Sequence, residues 1–97
     1  MIKSFHDRGT EDIFNRLNSR EARHVCPVQL WTVARRKLDQ LNAVISLTSL
    51  RIPPGNALEA LSGNRLGQHS IRINDQFRVC FTWTEEGPEL VEIVDYH

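Results

Sequence analysis

The feature that most constrains this chain is an alternation of apolar and polar residues across its last third. Ile71 and Ile73 alternate with Ser70 and Arg72, and Phe77, Val79, Phe81 and Trp83 alternate with Arg78, Cys80, Thr82 and Thr84. A period of two sends successive side chains to opposite faces of an extended backbone, so each run predicts a half-buried β-strand. Asn74-Asp75-Gln76 separates the runs by three residues, and only an odd number lets both apolar rows share one face. That register sets Ile73 opposite Phe77 and Arg72 opposite Arg78. Two arginines facing each other across a strand pair repel, and an anion held between them relieves the repulsion.

The acidic turn Glu85-Glu86-Gly87-Pro88 leads into a third run, Glu89 to Asp95. Here the pattern leaves the core face open, because Leu90 and Val94 compete with Val91 and Ile93. An even loop puts Arg78 on one face with Asp95 and His97, whereas an odd loop puts it with Tyr96. Either register brings Asp95-Tyr96-His97 beside Arg72 and Arg78.

Earlier in the chain the pattern is helical. Thr10-Glu11-Asp12 before Ile13, Phe14 and Leu17 predicts a brief helix capped by Thr10. Asn18 to His24 is polar and charged, and predicts a loop. Pro27, Trp31, Ala34, Leu38, Leu41 and Ile45 then recur at helical spacing, with Arg35, Arg36, Asp39 and Gln40 on the other side, which predicts an amphipathic helix. Pro53-Pro54-Gly55-Asn56 forbids a continuing helix or a central strand, and Ala57 to Leu61 suggests a helical turn. Met1 to Phe5 suggests a short edge strand.

A length of 97 residues predicts one domain over 1–97. No apolar stretch approaches a membrane span, and Met1-Ile2-Lys3-Ser4 lacks the apolar region of a signal peptide, so a cytoplasmic protein with no membrane contact is expected. Cys26 and Cys80 lack metal-ligand spacing and read as buried or idle thiols. The formal net charge of zero hides a split. Arg16, Arg20, Arg23, Arg35, Arg36, Lys37 and Arg51 face only Glu21 and Asp39 in the 16–51 region, while Glu85, Glu86, Glu89, Glu92 and Asp95 crowd the end. Such a division suits a protein that meets a polyanion on one surface, although a solvated helix face balanced by an acidic hairpin also accounts for it.

The residues gathered near one sheet face are Arg72, Gln76, Arg78, Asp95, Tyr96 and His97, with Arg65 and His69 close by. Arginine forks suit phosphate oxygens, histidine moves protons near neutral pH, and Tyr96 can stack on a base. There is no Gly-rich phosphate cradle, metal-ligand cluster or nucleophile elbow in the sequence, so no cofactor and no metal are expected. Cleavage of RNA through its 2′-hydroxyl needs only a base, cations for the developing phosphorane charge, and an acid for the leaving oxygen.

Pro53-Pro54-Gly55-Asn56, Leu58-Glu59-Ala60-Leu61-Ser62-Gly63-Asn64-Arg65, the run from Gly67 to Arg78 containing Ser70-Ile71-Arg72-Ile73-Asn74-Asp75-Gln76, and Val91-Glu92-Ile93-Val94-Asp95-Tyr96-His97 closely resemble the HigB/GraT killer toxins of the RelE/ParE superfamily. Met1-Ile2-Lys3-Ser4-Phe5 also matches the opening of that family, so the resemblance spans the chain. It implies an α+β domain of the RelE-like kind, with two N-terminal helices packed on a mostly antiparallel sheet of about four strands. It further implies a toxin that cleaves mRNA in the ribosomal A site without metal, and a helix-turn-helix antitoxin of the HigA type through which alone operator DNA is met.

Carried over by position, Arg78 would stabilise the scissile phosphate, His97 would act as acid or base, and Asp95 and Tyr96 would complete the site. Arg65, Arg72 and Gln76 would contact RNA, with Arg35, Arg36 and Lys37 on the basic surface that meets ribosomal RNA. The chain departs from the family where some members place His and Lys, having Glu59 and Ser62 instead, and Asn64 stands where Asp is common. A mild toxin is expected on that ground. Two other readings belong to different classes: a ParE-like protein that poisons gyrase without catalysis, and a weakly active subunit that mainly modulates its antitoxin's operator binding. A chain end at His97 would place an α-carboxylate beside the ring and favour its protonated form, making His97 the proton donor and Asp95 the complementary base.

Overall fold

A four-stranded antiparallel sheet, in the order β1-β2-β3-β4, carries the helices on one of its faces. The computed structural model describes residues 1–96. The strands are β1 (Glu59–Ala60), β2 (His69–Arg72), β3 (Phe77–Thr84) and β4 (Gly87–Asp95), and the helices are α1 (Arg8–Phe14), α2 (Arg20–Val25) and α3 (Trp31–Ala43). Ile71, Ile73, Phe77, Val79, Phe81, Val91 and Ile93 form the inner face of the sheet. They pack with Ile13, Trp31, Ala34, Leu38, Leu41 and Leu50 into one core. Burial of this apolar surface, at about 25 cal/mol per Å², is the main force holding the layers together.

Arg72 pairs with Arg78 across β2 and β3, as the three-residue turn requires. The β3–β4 junction is different. Thr84 pairs with Gly87, leaving a two-residue turn, yet Arg78 pairs with Val94 rather than Ile93. A bulge between Cys80 and Thr82 shifts the register, and Leu90 on the opposing strand sits at φ 53°. One extra residue in a strand reverses the alternation beyond it, so an even turn ends up with the consequence of an odd one. Val91 and Ile93 therefore take the core, Leu90 stays half exposed, and Tyr96 rather than Asp95 falls in phase with Arg78.

Residues 1–6 run beside β4 as an extended segment. Phe5 makes a parallel bridge to Val91, and the amides of Lys3 and His6 donate to the carbonyls of Pro88 and Val91.

Several local expectations are corrected. Asp7, not Thr10, caps α1: its carboxylate accepts from the Thr10 amide at 2.7 Å, while the Thr10 hydroxyl is buried and accepts from the Ile93 amide at 3.0 Å. Residues 20–25 form α2 where a loop is expected. Ser19 caps it by accepting from the Ala22 amide at 3.0 Å. Only Ala22 is buried in α2, so the helix has no apolar stripe for periodicity to detect. α1 and α2 can approach because Gly9 lacks a side chain; a Cβ there would collide with Val25 and the Glu21 carbonyl. α3 starts at Trp31 after a 3₁₀ turn over Val28–Leu30 and stops at Ala43, leaving Ile45 96% exposed. Residues 59–60 form β1 rather than a helical turn, because the edge of β2 supplies hydrogen-bond partners.

Candidate functional site

The outer face of the sheet carries Ser70, Arg72, Arg78, Cys80, Glu92 and Val94, with Tyr96 in phase at the end of β4. Ser70 and Cys80 are fully buried there beneath longer charged side chains. Burial pushes the Cys80 thiol up to about 11. The charges of Arg65, Glu92, Arg78 and Glu59 all reach it, which places them around one spot.

Arg78 is fixed from two sides. Its Nε donates to the Ser70 hydroxyl at 2.7 Å, and one Nη donates to the Ala57 carbonyl at 2.6 Å. Ala57 holds a left-handed conformation, φ 44°, at the end of the 3₁₀ turn Pro54–Asn56, and this aims its carbonyl at Arg78. A guanidinium carries five N–H donors, so these bonds orient the fork and leave donors for a phosphate. Arg72, directly opposite, pairs with the exposed carboxylate of Asp75. Such a surface pair is worth at most about 1 kcal/mol and yields readily to a stronger anion.

Gln76 ties the end of β4 to the turn. Its carbonyl accepts from the Tyr96 amide at 2.7 Å, and its side-chain amide donates to Asp95 at 3.0 Å. Asp95 pairs in register with Phe77 and so lies on the opposite phase from Arg78. Arg65 is bound to Glu92 at 2.8 Å and to Gln68 at 3.0 Å, and the Glu92 hydrogen bond raises its pKa still further. Tyr96 lies within electrostatic reach of Arg65. Arg65, Arg78 and Tyr96 thus share one neighbourhood, with Arg72 across the strand pair and Gln76 and Asp95 at its border. His97 lies outside the described residues.

Two residues fall elsewhere. His69 points to the inner face, stacked on Phe81 with ring centroids 6.3 Å apart, and its buried Nδ1 has no hydrogen-bond partner among the described residues. It belongs to the core layer and not beside Arg72 and Arg78. Arg35 lies over the Trp31 ring at 5.3 Å and donates to the Ile13 carbonyl at 3.0 Å. It lines a hollow with Arg16, Arg36 and Asp39, whereas Arg36 also joins Lys37 and Arg72 around a second cleft.

Sequence pattern alone misses Ser70, Ala57 and Glu92. The available signals are small: Ser70 shares the phase of Arg72, and Glu92 is an acid between the apolar Val91 and Ile93. Glu92 also meets His6 at 3.2 Å, and with Asp7 these residues bring ligand-type atoms within 4.8 Å of one another. It is the only such group among the described residues, and Arg65 already occupies one oxygen of Glu92. Among the described residues no helix is long and apolar enough to cross a membrane.

The profile of a family described as "RelE-like toxin of type II toxin-antitoxin system HigB" matches residues 3–97. Toxin HigB-1 of Vibrio cholerae serotype O1 is 37% identical over 98 residues, spanning 100% of this chain and 98% of its own. An uncharacterized protein of Haemophilus influenzae is 39% identical over 57 residues, which cover 59% of this chain and 56% of that protein. With the α+β architecture described above, a full-length match of this kind settles the family: the chain belongs to the HigB family of RelE-like toxins, the toxin component of type II toxin–antitoxin systems.

Proposed function

We propose that residues 1–97 act as a single toxin domain that cuts mRNA on the ribosome, in the A site, and so halts translation. The observation that carries this reading is the Arg72–Arg78 pair: two guanidiniums in register on one sheet face, one of them oriented by Ser70 and Ala57, next to the strand end that bears Asp95 and Tyr96. In the step we infer, the 2′-hydroxyl oxygen attacks the adjacent phosphorus and gives its proton to Asp95. Arg78, assisted by Arg72, stabilises the extra negative charge on the phosphoryl oxygens. The P–O5′ bond breaks, and His97 gives a proton to the departing 5′-oxygen. The products are a 2′,3′-cyclic phosphate and a 5′-hydroxyl. Tyr96 stacks on a base beside the cut, and Arg65 contacts a neighbouring phosphate when Glu92 releases it. The basic surface of the helical layer meets ribosomal RNA. A helix-turn-helix antitoxin of the HigA type neutralises the toxin and is its link to operator DNA, all in the cytoplasm.

The test is induced expression in a bacterial host with mapping of new 5′ ends in translated messages. Wild type should create 5′-hydroxyl ends within reading frames, and Arg78→Ala and His97→Ala should remove them. Undiminished cutting in both variants would overturn the site. A DNA-damage response without mRNA cuts would replace the reading with gyrase poisoning.

A further inference from the structure

Between α3 and the segment ahead of β1 lies a cleft of about 390 Å³. Arg36, Lys37 and Arg72 line it together with Gln40, Pro53 and Gly55, and no acidic residue is among its lining. Two of its lining residues, Lys37 and Gln40, are held in place by Asn56. Asn56 is fully buried, and its amide nitrogen donates to the Gln40 side chain at 2.9 Å and to the Leu50 carbonyl at 3.0 Å. The Asn56 oxygen accepts from Lys37 Nζ at 2.5 Å, which fixes the ammonium at the cleft. An ammonium has further N–H donors beyond that bond.

The positive charge in the cleft is poorly balanced. Burial pulls the Lys37 pKa down, and the charges of Arg36 and Arg72 pull it further in the same direction. Among the described residues Arg36 makes no ion pair and Arg72 pairs only with the solvent-exposed Asp75. Three cations around one hollow attract a compact anion with several acceptor oxygens, the chemistry of a phosphate group. Arg72 belongs both to this cleft and to the cross-strand pair with Arg78.

We propose that the Arg36–Lys37–Arg72 cleft is a phosphate subsite for the RNA strand, holding a backbone phosphate beside the one that faces Arg78. This rests on the reading of the protein as an RNA-cutting toxin. It adds the path of the strand: from the outer sheet face, past Arg72, over the edge of β2 toward α3.

Two measurements test it. Titration of the ¹⁵N-labelled protein with inorganic phosphate should give saturable amide shifts clustered at Lys37, Gln40 and Gly55. Fluorescence anisotropy with a labelled single-stranded RNA should show Lys37→Gln and Arg36→Gln each binding about 5–10-fold more weakly. Each variant should also lower the salt slope by about one, as the loss of one phosphate contact requires. Glutamine at position 37 retains a donor for Asn56, and circular dichroism verifies the fold. Arg16→Gln removes a cation engaged with Asp39 elsewhere and should change RNA binding less than 2-fold. Scattered or absent phosphate shifts, or equal effects of Lys37→Gln and Arg16→Gln, would overturn the subsite. If the wild type shows the clustered shifts and the affinity pattern but cuts no message, the subsite stands and the catalytic reading fails. If cutting is normal while Lys37→Gln leaves RNA affinity unchanged, the subsite alone fails.

Discussion

Asn56→Ala should cost about 3 kcal/mol of folding stability, and the reasons are local. The Leu50 carbonyl lies in the core and takes a hydrogen bond from Asn56 at 3.0 Å. Losing that donor leaves a buried acceptor unmatched, a loss of about 1–3 kcal/mol. The bond to Gln40 at 2.9 Å and the charged bond from Lys37 at 2.5 Å go with it. Both partners can turn toward water, so each adds about 0.5–1 kcal/mol. For a chain of this size about 3 kcal/mol lowers the melting temperature by roughly 12–15 °C. Urea unfolding followed by tryptophan fluorescence measures it, since Trp31 lies in the core. Asn56→Asp separates the contributions. It keeps an oxygen for Lys37 but removes the donor to Leu50, so it should remain about 1–3 kcal/mol below wild type. A loss under about 1 kcal/mol in the alanine variant would refute the idea that Asn56 anchors the 53–57 segment to α3.

Gly9→Ala, which stabilises an ordinary helix interior, should here destabilise by about 2–3 kcal/mol, because the new methyl meets Val25 and the Glu21 carbonyl; thermal unfolding reads it. Leu90→Gly should be neutral or stabilising by up to about 1 kcal/mol, as its φ of 53° suits glycine, whereas Leu90→Val should destabilise. Asp75→Asn frees Arg72 and should tighten single-stranded RNA about 2-fold in anisotropy, with a change in stability below about 0.5 kcal/mol. Burial raises both thiols, Cys26 and Cys80, from an ordinary 9.0 to about 11. The unfolded chain loses those protons first, so their contribution is intact below pH 9 and fades as pH rises toward 11. Thiol reagents at pH 8 should label the unfolded chain readily and the native one only slowly.

Alternation by itself determined β2 and β3, the odd turn between them, and the opposition of Arg72 and Arg78. These are consequences of a two-residue period and a loop count, both of which are local. The buried stripe of α3 at Trp31, Ala34, Leu38 and Leu41 was equally legible, because one helix face meets one core. The letters of the 53–65 and 91–97 segments carried the family resemblance.

Tertiary structure decided the rest. Helix α2 buries a single alanine and exists because Ser19 caps it and Gly9 lets it approach α1, neither of which leaves a periodic mark. Counting residues in the last turn gives the wrong phase for β4, since the bulge at Leu90 reverses it. That reversal sets Tyr96, not Asp95, in phase with Arg78. The oriented fork of Arg78 depends on a carbonyl 21 positions earlier, presented by a left-handed Ala57. The union of Arg36 and Lys37 with Arg72 depends on the packing that brings α3 and the end of β2 to one cleft. Contacts between residues far apart in sequence arise from packing of whole layers, and a linear pattern records only the faces that each element offers.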